Sequence, residues 1–418
     1  MKAFLKLCPV LVLAGMLLSG VDILLAAPTA TVLAGILAFT LERHSYKDIY
    51  HSAIENAKNL IDILFILMIS FALAEVFMAS GVGASIIIVA VKIGLTGKTV
   101  ASAALLVTAI LSVATGTSWG TFAACAPVFL WLSHIIGGSP LLTISAIAGG
   151  CCFGDNIGLI SDTTVLSSGV HQVEVTDRVR HQGAWSITCL LVAAVVFFLV
   201  SVSTGLGSTA GNANAAIDSI PAEVWTALEE KRASAVTLLQ QVRDGVPLYM
   251  LLPLIAVVVT AVMGVGTVIC LGLGIFLALV FGMMAGTLTL SDFGDLVYAG
   301  FSDAGSWSVS MTLWTAAFGG IMASMNAFDP LVKGVLKIAH NIRQLMTCNA
   351  ILSLLCNAVL GDCTGQIVTM GPIIKNMTET AVEATPEQMY KLRLRNSTFS
   401  DAFGTIGSQL IPWHGYMI

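Results

Sequence analysis

Long apolar runs, separated by short polar or glycine-rich patches, recur from one end of the chain to the other. A bilayer-crossing helix needs roughly 20 mostly apolar residues, and such runs lie near 7–26, 28–41, 60–79, 183–205, 248–263 and 267–285. Shorter or interrupted apolar segments occupy 84–95, 99–172, 307–325, 331–339 and 345–418. The pattern predicts an all-α polytopic membrane protein. The exception is 206–247, where a small-residue linker, GLGSTAGNANAAIDSI, leads into PAEVWTALEEKRASAVTLLQQVRDG. That stretch predicts an amphipathic surface helix capped by Asp218 or Ser219, with Pro221 in its first turn and Val224, Leu228, Ala235 and Leu239 on one face.

Composition agrees with the pattern. Of 418 residues 56% are hydrophobic and 10% charged, against about a quarter charged in soluble domains. The first seven basic residues, Lys2, Lys6, Arg43, Lys47, Lys58, Lys92 and Lys98, all fall on one side when spans are counted from a cytoplasmic N-terminus, as the positive-inside rule requires. A multi-pass plasma-membrane protein with that orientation is expected, its first span uncleaved although it resembles a signal peptide. The nine cysteines sit almost entirely in apolar stretches without metal-ligand spacing and read as packing residues. No nucleotide-binding, phosphate-cradling or catalytic-triad pattern occurs. The reading is therefore not an enzyme, without cofactor or nucleic-acid partner.

The chain also repeats itself. ATGTSWGTFAACAPVF (114–129) and VLGDCTGQIVTMGPII (359–374) share G-x3-G-x6-P, displaced by 245. FGDNIGLISDTTVL (153–166) and FSDAFGTIGSQLIP (399–412) share F-x-D-x-x-G-x-I, displaced by 246. Ser139-Pro140 matches Thr385-Pro386, and FMAS (77–80) matches IMAS (321–324). The expected organisation is N-terminal spans at 1–45, repeat 1 at 46–205, the linker at 206–247, scaffold spans at 248–290 and repeat 2 at 291–418. The polar arm EQMYKLRLRNS before Asp401 is expected in an aqueous vestibule or at the interface. Repeat 2 stops at Ile418 before any counterpart of 183–205, so that either this helix is lost or the chain is shortened at its C-terminus, the second being the expectation. Paired glycine-interrupted segments at matching places in two halves point to a transporter's binding site, because unwound backbone is tolerated in a membrane only against protein or a water-filled cavity.

GTSWGT with its following proline, FGDNIGLISDTT and the terminal IGSQLIPWH resemble the signature segments of NhaC-type Na+/H+ antiporters, within the larger ion transporter superfamily. The resemblance spans about residues 45–418. It implies two inverted repeats, re-entrant hairpins with broken transmembrane helices, a scaffold and a transport domain, elevator-like movement and a homodimer. The chain departs from that pattern at Asn156, where many members carry lysine, at His414, where asparagine is common, and in the GDCTGQ segment.

An intramembrane carboxylate costs about 2.5–3.5 kcal/mol on insertion scales, so it usually has a purpose or a partner. Asp155 and Asp162 are the first candidates for a site that takes Na+ or H+ but not both. The structural alternative is that Asp162 caps the helix beginning TTVLSS. Asp401 occupies the copy-two place of Asp155, and Asp362 matches Thr117. Around them Thr117, Ser118, Asn156, Ser161, Thr163, Gln366 and Ser408 complete the candidate ion or substrate site, with Thr115, Thr121 and Thr164 nearby. In apolar helices such hydroxyls either ligate or bond back to their own backbone. The Na+ candidates are Asp155, Asp162 and Thr117; the proton-coupling candidates are Asp155, Asp401 and Glu75. Trp119 and Trp413 read as packing, His414 as either titrating or merely near the chain end, and His171, Glu174, Asp177, Arg178 and Arg180 as a solvated loop. Asp62 shares the span at 60–79 with Glu75. The reading is a secondary transporter exchanging Na+ for H+. The alternative is coupled transport or exchange of a small organic anion or amino acid on the same scaffold.

Overall fold

Glycines and hydroxyl caps, more than shifts in hydropathy, set the helix boundaries. The computed structural model describes residues 5–58, 61–115, 117–158, 161–207, 213–231, 233–263, 265–327, 334–335, 337–361, 363–411 and 414, and among these residues the regular structure is helical, without a strand. Helix α1 (Cys8–Leu18) is followed by Gly20 at φ 79°, and Asp22 caps α2 (Ile23–Leu41) by accepting from the Leu24 amide at 2.7 Å. The break expected between 26 and 28 therefore lies at 19–22, and Pro28 sits inside α2. Next come α3 (Tyr46–Lys58), α4 (Ile61–Ser80) and α5 (Val82–Lys92). Gly81, at φ 105°, lies at the break where α5 turns 66° from α4, a backbone angle open to glycine and rarely to other residues. Then follow α6 (Val100–Thr115), α7 (Ser118–Ile135), α8 (Pro140–Ile157), α9 (Asp162–His171) and α10 (Val175–Ser203).

The linker holds α11 (Ala213–Asp218), α12 (Ala222–Lys231) and α13 (Ala233–Asp244). The expected surface helix thus corresponds to two helices with different surroundings. Val224 on α12 is exposed, whereas Leu238 and Leu239 on α13 are fully buried in a cluster with Ile87 of α5 and Val128 and Leu132 of α7. Each such leucine contributes about 1.5–3 kcal/mol on burial. The second half contains α14 (Leu252–Val262), α15 (Thr267–Ala285), α16 (Leu290–Asp303), a π-helical turn at Ala304–Val309, α17 (Ser310–Ser324), α18 (Ile342–Leu360), α19 (Cys363–Ala381), α20 (Pro386–Thr405) and a 3-10 turn at Gly407–Leu410. By length and composition α2, α10, α15 and α18 can each cross a membrane, as can α4 and α5 taken as one bent span. The spans expected at 7–26 and 248–263 contain the 11-residue α1 and α14 instead.

Helix ends recur at the displacement read from the sequence. Shifted by 244, α1 and α2 coincide end to end with α14 and α15, α3 starts with α16, and α4 ends with α17. Shifted by 245, α6 ends with α18 and α7 starts with α19; shifted by 246, α8 starts with α20. Ser139 and Thr385 are the N-caps of α8 and α20, each followed by proline in the first helical position. The correspondence therefore takes in the helices of 8–58 and 252–303, beyond the segments whose motifs match.

The residues fall into two compact units, 1–64 with 161–183 and 306–418, and 65–160 with 184–305. In the first, α17 packs on α2 and α3, and Asn56 donates to the Ala316 carbonyl at 2.7 Å. Gly320 lies so close to α3 that a Cβ there would sit 2.2 Å from the Ser52 carbonyl oxygen. In the second, a Cβ on Gly300 of α16 would meet the Ala72 Cα of α4 at 2.4 Å. Gly300 and Asn56 differ by 244, as do Ala316 and Ala72, so both units contain the same helix contact. Each unit joins the opening helices of one copy to the later helices of the other.

Candidate functional site

In the second unit the α6–α7–α8 cluster surrounds Asp155. Gly150 and Gly154 let α8 lie directly on α6: a Cβ on Gly154 would fall 2.4 Å from both the Ser112 Cβ and the Val113 nitrogen. Small residues four apart permit this approach between membrane helices. Ser112 then reaches across to the Cys151 carbonyl at 2.6 Å and the Thr117 carbonyl at 3.3 Å. Thr117 is extended (φ −145°, ψ 128°) and caps α7, its hydroxyl accepting from the Gly120 amide at 3.4 Å. Helix α7 therefore begins against α8, and Asp155 accepts from the Ser118 amide at 3.2 Å and the Ser118 hydroxyl at 2.6 Å. Asp155 and Asn156 are buried. A carboxylate at a helix N-terminus gains from the amide donors and the helix dipole.

Asp401 has different surroundings in the first unit. There α9, α19, α20 and the opening turns of α10 enclose a polar core. Ser161 caps α9, accepting from the Thr164 amide at 3.4 Å, and its hydroxyl is 3.2 Å from that of Thr163. Thr164 donates to Asp401 at 3.2 Å, accepts from Arg178 at 2.8 Å, and Arg178 also forms an ion pair with Asp401. Both charged side chains are fully buried. Gln366 donates to Ser400 at 3.3 Å while its carbonyl oxygen has no hydrogen-bond partner among the described residues. Ser408 bonds back to the Thr405 carbonyl. His414 is buried against Asn357 at 2.9 Å, and Asn357 also holds the Phe403 and Gly404 carbonyls.

Two expectations change. Arg178 and His171 are enclosed, where the HQVEVTDRVRH stretch had read as a solvated loop. The phase explains it: Arg178 and Gln182, four apart on α10, are buried, while Arg180 and His181 on the other side are exposed. That spacing was the available signal, masked by the charge density around it. The polar arm before Asp401 is likewise partly internal. Asn396, Ser397 and Ser400 are buried, and Asn349 of α18 donates to Asn396 at 3.0 Å and Thr378 at 3.1 Å. The arm's exposed residues are Glu387, Gln388, Lys391 and Arg395.

The remaining candidates divide between the units. Thr117, Ser118, Asp155 and Asn156 fall in the second; Ser161, Thr163, Gln366, Asp401 and Ser408 fall in the first. Glu75 lies half-buried on α4. Asp362 and Trp413 lie outside the described residues, as do the side chains of Asp62, Thr115 and Asp162.

The sequence profile of the Na+/H+ antiporter family matches residues 4–180 and 150–418. The chain belongs to that family. It is 26% identical over 390 residues to the malate-2H+/Na+-lactate antiporter of Bacillus subtilis (strain 168), covering 88% of this chain and 77% of the relative. It is 24% identical over 378 residues to the Na+/H+ antiporter NhaC of Alkalihalophilus pseudofirmus, covering 89% and 78%. It is 22% identical over 334 residues to the arginine/ornithine antiporter ArcD of Halobacterium salinarum, covering 74% and 62%. The NhaC resemblance read from the motifs is thus borne out, and the antiporter is a membrane transporter of a family that is not an enzyme family.

Proposed function

We propose that this antiporter exchanges Na+ for H+ across the plasma membrane, with Asp155 and Asp401 as the carboxylates that carry the ions. The observation that carries the reading is the pair itself: two buried aspartates, 246 apart, each near the end of a corresponding helix. Hydroxyls and backbone groups surround Asp155. The carbonyls at the C-terminal ends of α6 and α8 and the Thr117 hydroxyl are hard oxygen ligands of the kind Na+ takes. A carboxylate that must choose between Na+ and a proton gives exchange, because whichever ion binds excludes the other. The coincident helix ends support two repeats, taken here as inverted, and the non-helical backbone of Thr117, Gly158, Ser161 and Gly361 supports re-entrant hairpins and broken helices. Asp162 and Asp362 are proposed as further ion ligands, and Glu75 as a second proton site.

A second reading, exchange of a small organic acid or amino acid with Na+ or H+, has its own support. One relative is named for malate and lactate and another for arginine and ornithine, and a buried guanidinium suits a carboxylate. Flux in proteoliposomes separates the two. Na+-driven proton movement without any organic solute is the expected result. Movement seen only when malate, lactate, arginine or ornithine is added would replace the first reading by the second.

A further inference from the structure

The two repeat-related aspartates are held by different chemistry, and the difference has a use. Asp155 receives the Ser118 amide and hydroxyl. At the place of Ser118 the second copy has Cys363, which lacks a hydroxyl, and Asp401 is held by Thr164 and the Arg178 guanidinium. Arg178 comes from the opening turn of α10. A buried guanidinium costs several kcal/mol of desolvation. A serine, as in the first copy, would satisfy the carboxylate at lower cost. What the arginine adds is a positive charge that cannot leave. We propose that Arg178 is a tethered cation that occupies Asp401 in alternation with Na+ and H+, so that this carboxylate crosses the cycle neutralised. The proposal rests on the exchange reading and deepens it.

A guanidinium suits that role because it stays protonated at any working pH. Thr164 bridges the pair, accepting from Arg178 and donating to Asp401, and so can hold either partner when the other swings away. On α20 and the elements packed against it, Lys391 pairs with Glu387 and Arg393 with Glu379, and the further charged or titratable groups include Arg343 on α18, Lys375 on α19, His171 on α9, Arg395 on α20, Asp177 and His181 on α10, and His414. His171 lies within reach of the charges of Lys375 and Arg178, and His181 within reach of those of Arg395 and Arg178. Asp177 is bonded to Tyr390 at 2.8 Å and His414 to Asn357, which leaves Arg178 as the cation shown in contact with Asp401.

The test is Arg178→Gln in proteoliposomes, reading Na+/H+ flux across pH and proton leak without Na+. Removing the cation lets Asp401 take a proton at higher pH, so the profile should move alkaline by about 1–3 pH units, with a leak that the wild type lacks. Thermal unfolding in detergent establishes whether the variant folds. A folded Arg178→Gln with a wild-type profile and no leak, or with no flux at any pH, overturns the proposal. If Arg178→Gln does not fold, Arg178→Lys decides: its point charge lacks the planar fork and should release Asp401 more readily, lowering the KM for Na+ severalfold. An unchanged KM overturns the proposal. Absence of Na+/H+ flux in the wild type is a different failure, that of the exchange reading itself.

Discussion

Gly154→Ala adds one methyl group where α8 lies on α6. The new Cβ would fall 2.4 Å from the Ser112 Cβ and the Val113 nitrogen, and 2.7 Å from the Ala109 carbonyl oxygen. Carbon contacts are comfortable at about 3.5–4.0 Å, so α6 must retreat by about 1 Å over that turn. Overpacking of this kind costs about 1–3 kcal/mol. Loss of the Ser112 to Cys151 hydrogen bond adds about 1 kcal/mol, and the better helix propensity of alanine returns about 1 kcal/mol. The net expectation is a loss of about 1–3 kcal/mol, arising in the backbone beside Asp155. Gly149→Ala is the internal reference: its Cβ meets only the flexible Leu105 Cδ1, at 3.3 Å. Thermal unfolding in detergent should show Gly154→Ala clearly below wild type and Gly149→Ala at or above it, with Na+ flux lowered only in the former. Equal stability and flux in the two variants would refute the argument that a glycine contact sets the geometry of this site.

Other outcomes can be measured alongside. Asp155→Asn should leave the unfolding temperature near wild type and abolish coupled flux; normal coupled flux would remove Asp155 from the mechanism. Asn349→Leu removes the donor shared by Thr378 and Asn396 and should destabilise the first unit by about 1–3 kcal/mol, read as a lower unfolding temperature, whereas Cys348→Ala on the same helix should be near neutral. Asp292, exposed in the capping box of α16, has a carboxyl held below its ordinary value by the Thr289 hydroxyl and amide. Its contribution is therefore complete above the unfolded carboxyl's range and fades as pH falls below it, so acid titration should destabilise wild type slightly more than Asp292→Asn.

Much of the architecture could be read from the sequence because the same motifs occur twice and fall on helix ends. Ser139 and Thr385 are both N-caps, each followed by proline, and the backbone is extended at Thr117, Gly158 and Ser161, within the two segments expected to be unwound. Hydropathy alone failed at 19–22 and in the linker, since a run of apolar residues does not register that Gly20 and Asp22 end one helix and start another. It also could not register that α13 is buried while α12 is exposed. Asp155 and Asp401 were legible as acids in apolar surroundings. Their different partners were not, because Arg178 lies 223 residues from Asp401 and within a charged stretch in which Glu174 and Arg180 are exposed.

The central claim is that Na+ displaces protons from these two carboxylates. Calorimetric titration of Na+ into the detergent-solubilised antiporter, in two buffers of different ionisation enthalpy, counts the protons released per ion bound. The account predicts proton release in the wild type and none in the Asp155→Asn/Asp401→Asn double variant. Na+ binding without proton release in the wild type, or undiminished release in the double variant, would contradict it.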